Sequence, residues 1–247
     1  MRVALGIAAG VVLLACAIVA LAPAELVDPL VASRTEGRVR LADASGLWWR
    51  GHGIVTSTGT QASVSLAWRV RLLPLVRGRL VIEFVPVRPG MPTGTLAVAR
   101  DDVEARALQL TLPASLLAAF VPALSTVAPG GNVDVTTESF TWRAAHGDGR
   151  LDVVWRDAHL ALVGFPISLG TVRGVASGTP EGFQGTFDNR GGDLGAQGTW
   201  SMRGKAVEGV TRLTPTSASP PALRAVLPML GKSDEHGGVR IEWRGGR

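Results

Sequence analysis

The sequence lacks most of what redox, metal or hydrolytic chemistry requires. Its one cysteine, Cys16, cannot form an intramolecular disulfide. The four histidines form no His-x-x-x-His or Cys-His pair, so the usual zinc-ligand spacings are missing. The nucleophile motifs Gly-x-Ser-x-Gly and Ser-x-x-Lys are missing too. These absences predict a non-enzymatic protein with no metal and no cofactor.

Two short motifs that suggest chemistry have simpler interpretations. Asp101 and Asp102 follow a predicted strand and are interpreted as part of a turn rather than as a paired-carboxylate site. The glycines of residues 191–198 superficially resemble a phosphate-binding loop. A strand pattern follows them, whereas a dinucleotide fingerprint requires a helix, so they are interpreted as a turn and a bend in a sheet.

Charge is also scarce, at 18% of residues, and hydrophobic residues make up 46%. This mixture excludes intrinsic disorder. The 31 glycines and 15 prolines disfavour long helices.

Lysine is almost absent: Lys205 and Lys232 are the only two among 25 basic residues. The net charge of +5 suggests an anionic partner, but the arginines are spread along the chain, which favours solvated strand faces. Nucleic acid is not expected, because no recognised motif is present. The densest basic group surrounds residues 72–75 and fits either anionic lipid headgroups or a strand–turn–strand with outward arginines: Arg69, Arg71, Arg77 and Arg79.

The one long uncharged segment is residues 3–24. About 20 helical residues cross the ~30 Å hydrocarbon core of a bilayer, so this segment predicts a transmembrane anchor, residues 1–24. Arg2 precedes it, and Glu25 and Asp28 follow it. Because positive charge stays cytoplasmic, we expect a single-pass inner-membrane protein with a cytoplasmic N-terminus and a periplasmic body.

Two alternatives for this segment stay open. Cleavage after Ala24 would make it a removable signal peptide, although its apolar stretch exceeds the usual signal core. Lipidation at Cys16 would make the chain a lipoprotein, although apolar residues rather than a polar tether follow the cysteine. The body is exported in all three cases.

Period-two alternation of apolar and polar residues dominates after residue 35 and predicts half-buried antiparallel strands. Residues 78–86, 103–111, 149–155 and 239–243 show it most clearly, with Glu104 and Arg106 expected to point to water. Residues 113–122 and 220–228 break the pattern and predict short helices, each beginning at a proline.

An internal duplication relates the two halves of the body. A shift of 106 residues aligns residues 117–133 with residues 223–239 without a gap, and it also aligns Trp49 with Trp155. The prediction is therefore a mainly β protein: a curved antiparallel sheet of two similar halves, residues 25–145 and 146–247, each with a short helix before its last strand.

Tryptophan precedes arginine at five positions, which suggests core anchors with outward, solubilising partners. A hydrophobic groove lined by tryptophans is the alternative. The candidate core or interaction residues are Trp48, Trp49, Trp68, Trp142, Trp155 and Trp243.

The exported body resembles the protein N family of the type II secretion system. The segments that carry the resemblance are residues 37–51, with the run Leu47-Trp48-Trp49-Arg50-Gly51, and then Trp68, residues 77–80, 213–215, 223–231 and 238–243. The resemblance implies a single-pass inner-membrane accessory protein with a periplasmic β-rich domain. It implies contacts with other inner-membrane subunits of the system and with the secretin, and no catalytic residues. The alternative function is a periplasmic module that binds or transfers lipid.

Overall fold

The computed structural model of the chain describes residues 21–58, 62–120, 128–143, 146–162, 165–204, 206–229, 231–233 and 238–245. Within them, fourteen strands form one open antiparallel sheet in the order β1 to β12, then β14, then β13. The mainly β prediction is confirmed. The strands are β1 Val39–Leu47, β2 Arg50–Ser57, β3 Ser63–Arg71, β4 Leu80–Phe84, β5 Thr93–Val98, β6 Asp102–Pro113, β7 Gly130–Arg143, β8 His146–Leu162, β9 Phe165–Thr179, β10 Gly182–Arg190, β11 Leu194–Arg203, β12 Ala206–Pro215, β13 Lys232–Ser233 and β14 Val239–Gly245.

Four short α-helices accompany the sheet in the described residues: α1 Val27–Arg34, α2 Leu72–Leu75, α3 Ala114–Phe120 and α4 Pro221–Val226. The two predicted helices correspond to α3 and to α4, which a 3-10 turn, Leu227–Met229, extends. Strand–turn–strand was one of the two interpretations of the segment around residues 72–75. The structure has β3 and β4 there, and one helical turn, α2, lies in the connection between them.

The pairing register separates the sheet into an apolar and a polar face. Directly paired residues share a face, and the row Leu151, Ala176, Gly185, Trp200, Gly209 and Trp243 runs across six strands. The next row on the other face is Arg150, Ser177, Gln184, Ser201, Glu208 and Arg244. The apolar face is therefore suited to pack against other elements, and the polar face is suited to contact solvent.

The sheet bends towards its apolar face. Phe140 on β7 stacks on Phe183 on β10 with ring centroids 4.4 Å apart, although β8 and β9 lie between these strands. Gly147 and Gly178 leave room in the intervening strands, since a Cβ on either would collide with its surroundings. In addition, α3 contacts β2 as well as β6 and β7, so the first half curls around this helix.

Two clusters of buried side chains form the core on the apolar face. The first contains Ala24, Leu41, Trp68 and Val70. The second contains Leu227 of the 3-10 turn and Val239 of β14, both fully buried, with Trp155 packed against them. The short helices therefore cover the ends of the apolar face and leave its middle open.

Residues 3–20 of the predicted anchor lie outside the described residues. None of the helices formed by the described part of the chain has the length and hydrophobicity needed to cross a bilayer.

The helix-then-strand order occurs twice, as α3 followed by β7 and as α4 followed by β13 and β14. Val133 and Val239, 106 residues apart, are both buried near the starts of β7 and β14. Trp49 and Trp155 do not match locally, because Trp49 lies in the β1–β2 turn and Trp155 lies within β8.

Candidate functional site

An apolar groove of about 330 Å³ crosses the open middle of the apolar face, from β7 to β11. Its lining includes Leu151, Val153, Val172, Phe187 and Trp200. No charged, amide or hydroxyl side chain is among its described lining residues. With strands about 4.8 Å apart, five strands give a groove up to about 19 Å long.

Aromatic rings in the groove lie across glycines of the neighbouring strands. Trp200 lies over Gly185, and Phe187 lies over Gly198. A Cβ at Gly185 would stand 2.5 Å from the Trp200 ring, and one at Gly198 would stand 2.6 Å from the Phe187 ring. Glycine is therefore required at both positions so that the rings can lie flat along the sheet instead of filling the groove.

The six predicted tryptophans separate into four environments. Trp48 and Trp49 occupy the β1–β2 turn and pack against the first core cluster with Trp68, which is buried and donates its indole N–H to the carbonyl of Trp48 at 2.9 Å. Trp155 belongs to the second cluster and donates to the Gly130 carbonyl at 2.8 Å. Trp142, at the end of β7, is half-buried.

Trp243, predicted as a core or interaction residue, is the exposed one of the six. It lies on the apolar face, but 37% of its surface is exposed. The reason is that the last strand, β13, pairs only with Val239 and Arg240 and does not extend alongside Trp243. Its indole N–H donates to the Thr211 hydroxyl at 3.0 Å.

Of the six predicted tryptophans, Trp155 lines the groove, but sequence reasoning missed Trp200 and the phenylalanines beside it. Trp200 is followed by serine rather than arginine, so the tryptophan–arginine pattern did not include it. The signal that could have found them is period two with glycine among the large residues: Phe183, Gly185 and Phe187 on β10, and Gly198, Trp200 and Met202 on β11.

The polar face carries arginine–carboxylate pairs between neighbouring strands. Arg156 contacts Asp134 at 2.6 Å, and Arg244 contacts Glu208 at 3.1 Å. Such exposed pairs contribute about 0–1 kcal/mol each. They fit the expected role of the arginines as solubilising residues.

The prediction that Glu104 points to water is wrong, because its side chain is only 12% exposed. It contacts both Arg79 and Arg106. Burial raises the pKa of Glu104, but the two guanidinium groups outweigh burial and hold the pKa below its usual value. Asp101 lies in the turn as expected, while Asp102 begins β6 and faces Arg143 at 3.5 Å.

The edge of the sheet formed by β1 is covered. The backbone N–H of Leu41 donates to Asp28 Oδ1 at 2.8 Å, and that of Val39 donates to the Thr35 hydroxyl at 3.2 Å. Arg40 also binds the Asp28 carboxylate, at 2.6 Å. The hydrogen bonds from Arg40 and from the Leu41 N–H hold the pKa of Asp28 below its usual value. Side chains of α1 and the residues after it thus occupy donors that a further strand would use.

The opposite edge is open over most of its length. The two residues of β13 pair only with Val239 and Arg240. Residues 241–245 pair with β12 on one side, and no strand of the described chain pairs with their other side. An unpaired edge presents backbone N–H and C=O groups to which another strand can bind.

A metal site requires several ligand side chains in one place. No group of three or more His, Cys, Asp or Glu side chains in the described ranges is placed to hold a metal ion. What these residues offer is an apolar groove and an unpaired strand edge, both of which act by contact.

Comparison with known proteins identifies one family. The model of the family described as type II secretion system (T2SS), protein N, matches residues 37–242, which is most of the chain and includes the groove and residues 241 and 242 of the open edge. Searches of curated proteins and of solved structures found no significant match. The chain therefore belongs to the type II secretion system protein N family and is a component of that system.

Proposed function

We propose that this chain is an accessory inner-membrane protein of the type II secretion system, which supports export of folded proteins through the secretin by protein–protein contacts and without catalysis. Residues 3–24 are proposed as a single-pass anchor with a cytoplasmic N-terminus, and the body as periplasmic. The family match and the uncharged N-terminal stretch support this proposal.

The open edge at residues 241–245 is the observation that carries the contact role. The β1 edge is covered by side-chain hydrogen bonds, while most of β14 is not paired on its outer side within the described chain. A partner subunit could extend the sheet here by adding a strand, with backbone hydrogen bonds supplying affinity.

Photo-crosslinking from two positions of one row tests this role. Val210 pairs with both Thr199 and Glu242, so Thr199 and Glu242 share the polar face, but Glu242 lies on the edge and Thr199 lies two strands inside. Both are exposed. A photoreactive residue at Glu242 should give adducts with other secretion subunits in intact membranes, and one at Thr199 should give few. Equal adducts, or none at either position, would contradict edge pairing.

A lipid-binding module is the second candidate, and the groove favours it. Its lining offers no polar side chain to a peptide, so a hydrocarbon chain is the occupant that its chemistry fits. One leaflet of a bilayer is about 15 Å of hydrocarbon, half of the ~30 Å core, which is comparable to the length of the groove.

Filling the groove tests the second candidate. Gly174 lies in it, and a Cβ there would meet only ordinary contacts, the nearest at 3.7 Å, so Gly174→Leu should occupy the space without displacing the backbone. Solvent extraction of the purified full-length protein should yield bound lipid, and less from Gly174→Leu than from Gly195→Leu on the polar face. No bound lipid in any of the three proteins would remove this candidate.

The two-half organisation, residues 25–145 and 146–247, is also proposed. The repeated helix-then-strand order and the equivalent buried positions of Val133 and Val239 support it. Of the candidate tryptophans, we propose Trp48, Trp49, Trp68, Trp142 and Trp155 as core anchors and Trp243 as an interaction residue beside the open edge.

A further inference from the structure

The strand directions sort the connections of the sheet into two ends. Because neighbouring strands are antiparallel, one end of the sheet, here called the helix end, carries α3, α4 and residues 35–38, which lead directly into β1. The β1–β2 turn, α2, the β5–β6 turn and the last residues of β14 lie at the other, here called the α2 end.

The first described residues lie at the α2 end. The N–H of Trp48 donates to the carbonyl of Ala22 at 3.1 Å, and the N–H of Val70 donates to the carbonyl of Trp49 at 2.6 Å. Val70 immediately precedes Arg71 and α2. Two backbone hydrogen bonds thus connect the start of the described chain to the strand that leads into α2.

Side-chain packing supports the same placement. Val27 of α1 and Leu75 of α2 pack against one apolar cluster, which contains Ala24 and Val70. The α2 segment is therefore held next to residues 21–24, the described end of the uncharged stretch.

The α2 segment, residues 72–77, exposes apolar side chains to solvent. Leu73 is 86% exposed and Val76 is 87% exposed, although residues of these types are usually buried. Exposed arginines, Arg71 and Arg77, flank them. Apolar side chains beside exposed basic groups are the composition of segments that lie in the headgroup region of a bilayer.

We propose that residues 72–77 form a second membrane contact, in which Leu73 and Val76 enter the headgroup region and Arg77 binds anionic phosphate groups. The occupant is a lipid surface because the segment lies beside the proposed anchor and because its charge complements anionic lipid. The sheet then stands with its α2 end on the bilayer and its helix end away from it. This inference rests on the anchor in the proposed function.

A depth-sensitive fluorophore on the full-length protein tests the contact. In a Cys16→Ser background, single cysteines replace Leu73 or Met229. Met229 is a matched control because it is apolar and 83% exposed but lies at the helix end. Both proteins are labelled and reconstituted into phosphatidylcholine vesicles with and without phosphatidylglycerol, carrying a headgroup-region quencher lipid. Flotation of the same vesicles reports the anchor separately.

The label at position 73 should be quenched roughly threefold or more relative to the label at position 229, because interfacial segments enter only about 5–10 Å and the helix end stands clear of that depth. Arg77→Gln should reduce the part of the quenching that depends on phosphatidylglycerol, and added salt should reduce it too. Equal quenching at both positions in floating vesicles overturns the second contact while the anchor stands. Protein that does not float overturns the anchor. Shielding of position 73 only when other secretion subunits are added assigns the segment to a protein partner and also overturns the proposal.

Discussion

The aromatic ring of Phe187 lies over Gly198 but not over Gly195, so alanine substitutions at these two positions should have opposite effects on stability. Gly198 and Gly195 both belong to β11. A Cβ at Gly198 would stand 2.5 Å from the Val210 carbonyl oxygen and 2.6 Å from the Phe187 ring, whereas the nearest atom at Gly195 would be 3.4 Å away. The ring can turn, but the carbonyl belongs to β12 and moves only if that strand shifts.

Overpacking of this kind costs about 1–3 kcal/mol, so Gly198→Ala should destabilise the protein by that amount. Gly195→Ala should stabilise it by about 0.4–1 kcal/mol, because alanine has less freedom than glycine in the unfolded chain. For a chain of this size each kcal/mol moves the melting temperature by about 2–4 °C. The two variants should therefore differ by roughly 3–15 °C.

Thermal unfolding of the full-length, detergent-purified variants, followed by circular dichroism, measures the difference. A third variant, Gly174→Ala, should behave like Gly195→Ala, because its Cβ would meet only ordinary contacts. If Gly198→Ala melts at or above the temperature of Gly195→Ala, then the register that places Phe187 over β11 is wrong.

Two further substitutions test the covered edge and the core. The pKa of Asp28 is lowered in the folded state by Arg40 and the Leu41 N–H, so its contribution is present above about pH 4 and is lost as the pH falls through the folded value. Asp28→Asn should therefore flatten the fall in melting temperature between about pH 5 and pH 3, and an unchanged pH profile would contradict this pairing. Leu227 is fully buried, so Leu227→Ala should lower the free energy of unfolding, measured with denaturant, by about 2–5 kcal/mol. Its neighbour Val226 is exposed, so Val226→Ala should change that free energy by less than about 0.5 kcal/mol. Similar losses in the two variants would mean that Leu227 is not in the core.

The architecture was predictable where the sequence alternates strictly. Residues 103–111 and 239–243 alternate, and both lie inside strands of the structure, β6 and β14. The two proline-bounded segments form α3 and α4. Helix α4 begins at Pro221, whose fixed φ suits a first helical turn, whereas Pro113 ends β6 and α3 begins at Ala114. In these segments the local pattern and the tertiary burial agree.

Other features depend on residues far apart in the chain, which a local pattern does not contain. The cover of the β1 edge uses Asp28, thirteen residues before its Leu41 partner. The stacking of Phe140 on Phe183 requires two intervening strands to bend, and the burial of Glu104 requires Arg79 from the neighbourhood of α2. The groove was anticipated only as an alternative. Of the tryptophans named for it, Trp155 lines the groove, whereas Trp200 was missed because it is not followed by arginine.

Strand order in this sheet equals chain order up to β12, which bears on how the protein assembles. Each new strand needs only the hairpin partner that precedes it, so the sheet can form stepwise from its amino-terminal side. The exception is the finish: β14 joins β12 only after α4 and β13 have been traversed. Until β14 pairs with it, β12 is the unpaired edge of the sheet, and its backbone N–H and C=O groups can bind another strand.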